Sequence, residues 1–427
     1  MTHFGIICPA STGHLNTMLP LGQELQRRGH CVTVINVLDS QAKVLSAGLE
    51  FQTIGESKFP LGSTAASLKK LGELNGLAAL RYTINLFKER AVLILQEAPK
   101  AIQEIGIECL LVDQTNAEGG TVAEFLNIPF VTICSAVVLN RDPNIPPFNT
   151  VWPYSPSVGA RLRNHIGYLI LNRVGKPIRE VVSEYRRAWN LPPHTYPNNN
   201  YSKLAQISQQ PAELEFPRKN LPAWFHFTGP YHYSSRREPV AFPWEKLTDK
   251  PLIYASMGTV QNRLVEVFQT IASACEGLDA QLVISLGGSA SPESLPKLPG
   301  NPLVVEYAPQ LELLQKTSLT ITHAGMNTTL ECLNNGVPMV AIPVANDQPG
   351  VAARIAWAGA GEAVPLKKLN VSKLRVAVEK VLTESSYKQN ALRLQEAIKR
   401  AGGVQRAADI IEQAVSTGKP VLALTKQ

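Results

Sequence analysis

The chain has 427 residues, of which 44% are hydrophobic, and its 41 basic and 34 acidic residues give a formal net charge of +7. This length is too great for one ordinary domain and suits two, each able to bury a core. The basic residues are spread along the chain without a zinc-finger, RNP-type or basic-arm signature, which argues against nucleic acid and leaves an anionic small ligand or acidic lipid as partner.

Targeting and membrane signals are weak. The first residues carry no basic segment before a long apolar stretch, and no apolar run approaches the roughly 20 residues that span a bilayer. The six cysteines are scattered, and most sit in apolar runs, where reduced, buried thiols are usual. We expect a cytoplasmic protein, and the sequence leaves a peripheral contact with a membrane surface open.

Short apolar runs alternate with helix-period segments along the whole chain. In the first half, a helix is predicted over 15–29 and ends at a glycine, and strands are predicted at 4–9, 31–37, 108–113 and 129–135. In the second half, a helix is predicted over 263–278 and strands at 251–258, 280–286, 301–308, 319–325 and 337–344. This alternation predicts an α/β protein with parallel sheets covered by helices.

The segment 228–250 is rich in proline, serine and charge, which is typical of a linker. We therefore predict an N-terminal domain over 1–228, a linker over 229–250 and a C-terminal domain over 251–427. The last helix, at about 404–417, can return to pack on the N-terminal domain. Two such domains form a cleft in which ligands bind at the carboxyl ends of the strands.

Two further segments, 65–98 and 158–190, are amphipathic and basic. Such a segment is either a solvated helical face or a contact surface for a membrane or a lipophilic substrate. The sequence leaves both interpretations open.

The densest set of candidate binding residues lies in THAGMNTTLECLNNGVPMVAIPVANDQPG, residues 322–350. This stretch predicts a strand end, a turn and a helix that stops at Gly336. Unpaired N–H groups and the helix dipole at such a helix start bind anions, and Gly325 allows a phosphate to approach the backbone. His323, Asn327 and Thr328 add side-chain donors.

Acidic and amide side chains complete this set. Glu331 lies four residues after Asn327 on the same helix face, where it can accept hydrogen bonds from a ribose diol. Asp347 and Gln348 follow the next strand and can hold further hydroxyls. Taken singly, these residues are better explained as helix caps, turns or surface groups. Together they describe a nucleotide-sugar site.

A second set of candidates lies in the N-terminal half. His14 stands at a strand-to-helix turn that faces the predicted cleft, and Asp113 ends a strand at the same sheet edge. A neutral histidine can take a proton from an acceptor hydroxyl, and a carboxylate fixes its tautomer and stabilises the imidazolium. Thr259, at the end of strand 251–258, can donate to a phosphate. No G-x-G-x-x-G turn is present for a dinucleotide cofactor, and no D-x-D or His/Asp cluster for a metal.

The second-half residues resemble the donor signature of family 1 UDP-sugar glycosyltransferases, which have the GT-B fold of two Rossmann-like domains. That signature begins with an aromatic or apolar residue before Ala-Pro-Gln, here Tyr307-Ala308-Pro309-Gln310. Met326 replaces the tryptophan usual in plant members, as it does in bacterial ones. The resemblance implies uracil stacking by Tyr307, a uridine contact by Gln310, diphosphate contacts by Thr259, His323, Gly325, Asn327 and Thr328, a ribose contact by Glu331, and sugar contacts by Asp347 and Gln348.

The resemblance also implies a reaction. His14 is the catalytic base, Asp113 orients it, and a helix N-terminus stabilises the leaving UDP without metal or cofactor, so that a single displacement inverts the anomeric configuration. Stretches outside the donor signature, such as 122–134 and 204–219, resemble bacterial members that glucosylate carotenoids. The expected reaction is glucose transfer from UDP-glucose to a lipophilic acceptor, above all a carotenoid such as zeaxanthin.

Three alternatives stay open at this point. The acceptor can be another lipophilic alcohol, such as a macrolide, a sterol, a phenol or a flavonoid. A UDP-sugar epimerase is more distant, because it does not explain why His14 is paired with Asp113. A nucleotide-sugar sensor without activity would have no use for either residue.

Overall fold

The computed structural model describes residues 1–74, 76–231, 240–258, 265–288 and 291–423. Its first half contains the strands β1 (His3–Ile7), β2 (Cys31–Asn36), β3 (Glu50–Thr53), β4 (Cys109–Asp113), β5 (Phe130–Cys134), β6 (Gln206–Ser208) and β7 (Phe225–Phe227). The helices of this half are α1 (Thr12–Arg27), α2 (Gln41–Ser46), α3 (Ser63–Glu73), α4 (Gly76–Ile105), α5 (Ala117–Leu126), α6 (Val158–Val174) and α7 (Lys176–Ala188).

The second half repeats this alternation. Its strands are β8 (Leu252–Ser256), β9 (Gln281–Ser285), β10 (Leu303–Val305), β11 (Thr317–Thr322), β12 (Met339–Ala341) and β13 (Gly361–Ala363). Its helices are α8 (Val265–Cys275), α9 (Gln310–Leu314), α10 (Met326–Asn334), α11 (Gln348–Trp357), α12 (Val371–Thr383), α13 (Ser385–Ala401) and α14 (Gly403–Thr417).

The strands form two parallel sheets. The N-terminal sheet has the order β3-β2-β1-β4-β5-β6-β7 and the C-terminal sheet the order β10-β9-β8-β11-β12-β13. All their described pairings are parallel. The strand order reverses between β1 and β4 in one sheet and between β8 and β11 in the other. Ligands of open α/β sheets bind at such switch points, outside the carboxyl ends of the strands.

The predicted α/β fold with two parallel sheets is confirmed. All nine predicted strands are present, although β10 covers only three residues of the predicted 301–308. The short strands β3, β6, β7 and β13 are absent from the sequence prediction, because three or four residues carry too little apolar periodicity. Two predicted helix ends are also confirmed, since Gly29 and Gly336 follow α1 and α10 with φ of 91° and 61°.

Apolar side chains cover both faces of each sheet. On one face of the N-terminal sheet, α1 contributes Leu15, Met18 and Leu25 to the core. The last helix, α14, joins this same core through Ile410 and Ile411 and packs against α1. The chain therefore returns to the N-terminal sheet after completing the C-terminal one.

Helices occupy both of the amphipathic basic segments. The described part of 65–98 lies almost wholly in α3 and α4, and that of 158–190 almost wholly in α6 and α7. Within the described ranges, no helix combines the length and the apolar character needed to cross a membrane.

Candidate functional site

His14 and Asp113 meet at the switch point of the N-terminal sheet. His14 is the third residue of α1, which follows β1, and Asp113 is the last residue of the neighbouring strand β4. The Nδ1 atom of His14 lies 2.8 Å from Oδ2 of Asp113. Because Nδ1 is occupied in this way, Nε2 is the ring nitrogen left to exchange a proton with a ligand.

Two residues that the sequence did not single out complete this arrangement. The hydroxyl of Ser135 lies 2.7 Å from Nδ1 of His14 and donates to Oδ2 of Asp113. The backbone N–H and hydroxyl of Thr115 donate to Oδ1 at 2.9 and 2.7 Å. Both carboxylate oxygens of Asp113, which is 1% exposed, are therefore satisfied. Ser135 directly follows β5, beside β4, so the strand-end rule that identified Asp113 could also have identified it.

The electrostatics of the pair favour an imidazolium next to a carboxylate. Burial opposes protonation of His14, but the charge and hydrogen bond of Asp113 and the charge of Asp347 outweigh it and raise its pKa. Burial also opposes ionisation of Asp113, yet His14 and the hydrogen bonds from Ser135 and Thr115 lower the pKa of this carboxyl. The pair is thus built to stabilise His14 after it has taken up a proton.

The opposite wall of the cleft is formed by the loop between β11 and α10. His323 and Ala324 follow β11, Gly325 is the N-cap of α10, and Thr328 lies half-buried in its first turn. Ala324 adopts φ of 64°, a left-handed conformation that is costly for a residue with a Cβ and is found mainly at functional sites. The first backbone N–H groups of α10 have no acceptor within the helix, which makes its start suited to an anion.

Two glycines hold the ring of His323. A Cβ on Gly258 would lie 2.7 Å from Nε2 of the ring, and one on Gly325 would lie 2.5 Å from the same atom. Burial lowers the pKa of His323 to about 4. The ring is neutral at physiological pH, and its buried Nδ1 has no hydrogen-bond partner among the described residues.

Tyr307 and Ala308 lie farther along the same sheet edge, between β10 and α9. The ring of Tyr307 occupies the space in which a Cβ of Gly288 would lie, only 1.9 Å from the Tyr307 hydroxyl. Gly288 has φ of 80°, and Tyr307 is 49% exposed. The backbone of the loop after β9 thus supports one side of an aromatic ring that is otherwise accessible.

Gln310 and Glu331 form a connected pair beside this ring. The amide of Gln310 accepts from the Tyr254 hydroxyl at 3.1 Å and donates to Oε2 of Glu331 at 2.5 Å. Glu331 is only 2% exposed. The side chain of Gln310 therefore holds Glu331 in place. The predicted contact of Gln310 with a uridine would be made in addition to these two hydrogen bonds or would replace one of them.

Asp347 and Gln348 lie where the loop after β12 enters α11. Oδ2 of Asp347 accepts from the backbone N–H of Val137, in the N-terminal half, at 3.2 Å, and burial raises the pKa of this carboxyl. Oε1 of Gln348 accepts from the N–H groups of Val344 and Ala345 at 2.8 and 3.0 Å. Because these contacts use the amide oxygen of Gln348, its amide nitrogen is the atom that can donate to a ligand.

Asn327 links the two walls of the cleft. Its amide donates to the carbonyl of Gly13 at 2.8 Å and accepts from Gln209 at 2.8 Å and from Thr17 at 3.3 Å. Gln209 also donates to the carbonyl of Ser135 at 2.5 Å. Gln209 was missed because it follows β6, a strand without a sequence signal. The predicted diphosphate contact of Asn327 would compete with these bonds.

The switch points of the two sheets therefore share one cleft, which brings His14 and Asp113 close to the start of α10 and to Asp347. The remaining predicted residue, Thr259, lies outside the described residues.

The comparisons with known proteins agree on one family. Residues 6–401 match the family model described as UDP-glucoronosyl and UDP-glucosyl transferase. The zeaxanthin glucosyltransferase of Pantoea ananas is 34% identical over 99% of this chain and 98% of its own length. The zeaxanthin glucosyltransferase of Pseudescherichia vulneris is 29% identical over 99% and 100%. The solved structure of the calicheamicin glycosyltransferase CalG4 superposes with a TM-score of 0.75 at 22% identity, covering 98% of this chain and 100% of that one, which shows a shared fold.

Proposed function

Because the chain belongs to the UDP-glucoronosyl and UDP-glucosyl transferase family and is a GT-B glycosyltransferase, we propose that it moves glucose from UDP-glucose to a carotenoid hydroxyl with inversion. The observation that carries the chemical part is the position of the His14–Asp113 pair opposite the start of α10. The acceptor is proposed from the two zeaxanthin glucosyltransferases, which match nearly the whole chain, including its N-terminal half.

The proposed step is one displacement. Nε2 of His14 takes the proton of the acceptor hydroxyl while the hydroxyl oxygen forms a bond to the anomeric carbon of glucose. The bond from that carbon to the diphosphate breaks, and UDP leaves with the electron pair. Asp113 stabilises the imidazolium through Nδ1, and the proton then passes to solvent.

The C-terminal half stabilises the negative charge that develops on the leaving diphosphate. The N–H groups at the start of α10 and the neutral ring of His323 donate to the phosphate oxygens, a role that needs no metal ion. Tyr307 stacks on uracil, Glu331 accepts from the ribose hydroxyls, and Asp347 and Gln348 bind the sugar. The buried position of Glu331 supports this assignment, because a desolvated carboxylate gains most from two hydroxyl donors.

The acceptor binds on the side of His14. A polyene gains roughly 25 cal/mol for each Å² of apolar surface that it buries, so affinity needs few hydrogen bonds. Reaction then depends on one hydroxyl reaching Nε2. A carotenoid without that hydroxyl is expected to bind without reacting.

The test is to offer zeaxanthin, β-carotene and a small phenol, each in detergent micelles with UDP-glucose, and to analyse the products by mass spectrometry. We expect glucosylated zeaxanthin and inhibition by β-carotene. If the phenol reacts fast and zeaxanthin does not react, the carotenoid is wrong as the acceptor and another lipophilic alcohol takes its place. An altered nucleotide sugar formed from UDP-glucose alone would indicate an epimerase.

A further inference from the structure

One helix of the N-terminal half exposes a continuous apolar face. Along α6, large apolar side chains recur every three or four residues, which places them on one side of the helix. Each is at least half exposed: Val158 (80%), Leu162 (61%), Ile166 (50%), Leu169 (54%) and Ile170 (61%). Soluble monomers rarely expose such an apolar stripe to water, which indicates that the stripe binds a partner.

The opposite face of α6 fixes the direction of the stripe. Its buried residues are Ala160, Asn164 and Gly167. A Cβ on Gly167 would lie 2.7 Å from Pro147 and 3.0 Å from Trp152, so the helix backbone is pressed against the loop that precedes it. The apolar stripe therefore points away from the protein body and does not belong to its core.

The charges on α6 are all of one sign. The helix contains Arg161, Arg163 and Arg173 and no acidic residue. Arg161 and Arg173 are exposed, whereas Arg163 is held by the carbonyl of Pro153. With 3.6 residues per turn, Arg161 borders the stripe and Arg173 lies at its C-terminal end. Apolar side chains flanked by arginines match the interface of a bilayer with anionic headgroups.

We propose that α6 docks the protein on anionic membranes, with the apolar stripe inserted among the acyl chains and the arginines on the headgroups. The docking proposal does not depend on which acceptor is used. If the acceptor is a carotenoid, docking also brings the enzyme to the phase in which that acceptor dissolves.

A second copy of the chain suits this face less well. In a two-fold symmetric pair of antiparallel α6 helices, Arg161 of one copy would approach Arg173 of the other. No carboxylate of α6 could offset that repulsion. The anionic bilayer is the occupant whose charge complements the helix.

The test is co-sedimentation with vesicles, in the absence of donor and acceptor. Vesicles of phosphatidylcholine and phosphatidylglycerol in equal parts are compared with phosphatidylcholine alone. We expect wild-type binding to the anionic vesicles, and the triple variant Leu162→Gln/Ile166→Gln/Ile170→Gln should lose about tenfold or more in partition coefficient. Arg161→Gln/Arg173→Gln should weaken binding on the order of tenfold and make it less sensitive to salt.

The matched control is Val376→Gln. Val376 lies on α12 of the C-terminal half and is as exposed as Leu162, at 61%, so this change should leave vesicle binding intact. Each variant is checked for unchanged melting temperature and UDP affinity. Wild-type protein that ignores anionic vesicles, or a triple variant that binds like wild type, would overturn the proposal. So would a wild-type dimer in sedimentation analysis that the triple variant abolishes, because the stripe would then be a subunit interface.

Failure of carotenoid glucosylation would leave the docking result unaffected. The two proposals are therefore tested by separate readouts.

Discussion

The two walls of the cleft differ in how far the protein itself satisfies their polar groups. On the N-terminal wall, Asp113 receives hydrogen bonds from His14, Ser135 and Thr115, and no ligand is needed to complete it. On the C-terminal wall, the first N–H groups of α10 have no acceptor within the helix, and Nδ1 of His323 is buried without a partner among the described residues. The proposed base is held in place by the protein alone, whereas the proposed anion site would be completed by its ligand.

The largest expected effect is on the N-terminal wall. His14→Ala removes the proposed base, and we expect turnover to fall by about 10²–10⁴-fold, the usual range for such a group. UDP affinity should stay nearly unchanged, because the proposed donor contacts lie on the C-terminal wall. Single-turnover kinetics and UDP titration measure both quantities. Normal turnover in this variant would remove His14 from the mechanism.

Asp113→Asn should separate the electrostatic role of the carboxylate from its geometry. Asp113 raises the pKa of His14. A base acts when neutral, so wild-type kcat/KM should fall as the pH drops through this raised pKa. Without the carboxylate charge, the pKa falls, and the acid limb of the variant should move to lower pH while turnover drops by about 10²-fold or more.

The pH profile of kcat/KM for both proteins checks this shift. Asp39→Asn, at a carboxylate that caps the 62–64 turn instead of contacting His14, is the control. An acid limb that stays in place in Asp113→Asn would show that the titrating group is not His14.

Gln209 connects the two walls and should have an intermediate effect. Gln209→Ala removes the donor to both Asn327 and the carbonyl of Ser135. Leaving buried polar groups unpaired costs about 1–3 kcal/mol, which corresponds to roughly 5- to 150-fold if it falls on the transition state. We expect the loss in kcat, with little change in UDP affinity. An equal loss of UDP affinity would mean that Gln209 serves only to hold α10 in position.

The smallest expected effects concern two residues of the C-terminal wall, which are proposed to bind different parts of UDP-glucose. Glu331→Ala should weaken UDP, whereas Gln348→Ala should spare UDP and weaken UDP-glucose. Each loss should be on the order of 0.5–1.5 kcal/mol, and more where a buried group is left unpaired. Calorimetry with both ligands on both variants measures this. Identical losses for UDP and UDP-glucose would contradict the assignment of ribose to Glu331 and sugar to Gln348.

Sequence reasoning reached the residues that follow recognisable strands. His14 and Asp113 follow apolar runs of the N-terminal sheet and His323 follows one of the C-terminal sheet, so the position of each near the carboxyl ends of its strands was predictable. Gln209 follows the three-residue strand β6, which has no such signal. The bonds of Asn327 to Gly13 and Gln209 depend on how two separately folded sheets dock, which no local pattern encodes.

The amphipathic helices illustrate the same limit. The pattern of 158–190 left two interpretations open, a solvated face and a contact with a membrane or a lipophilic substrate. For α6, only the packing of Gly167 against Pro147 shows that the apolar stripe lies on the outside. Periodicity gives the angle between residues of a helix, and tertiary packing decides which side is buried.

The central claim is that a base on one wall and an anion site on the other catalyse a single displacement. The anomeric configuration of the product tests this most directly. UDP-glucose carries an α linkage, so attack from the side of His14 should give a β-glucoside, identified by the large coupling constant of its anomeric proton in NMR. An α-glucoside would require two displacements or front-side attack, and would contradict the account.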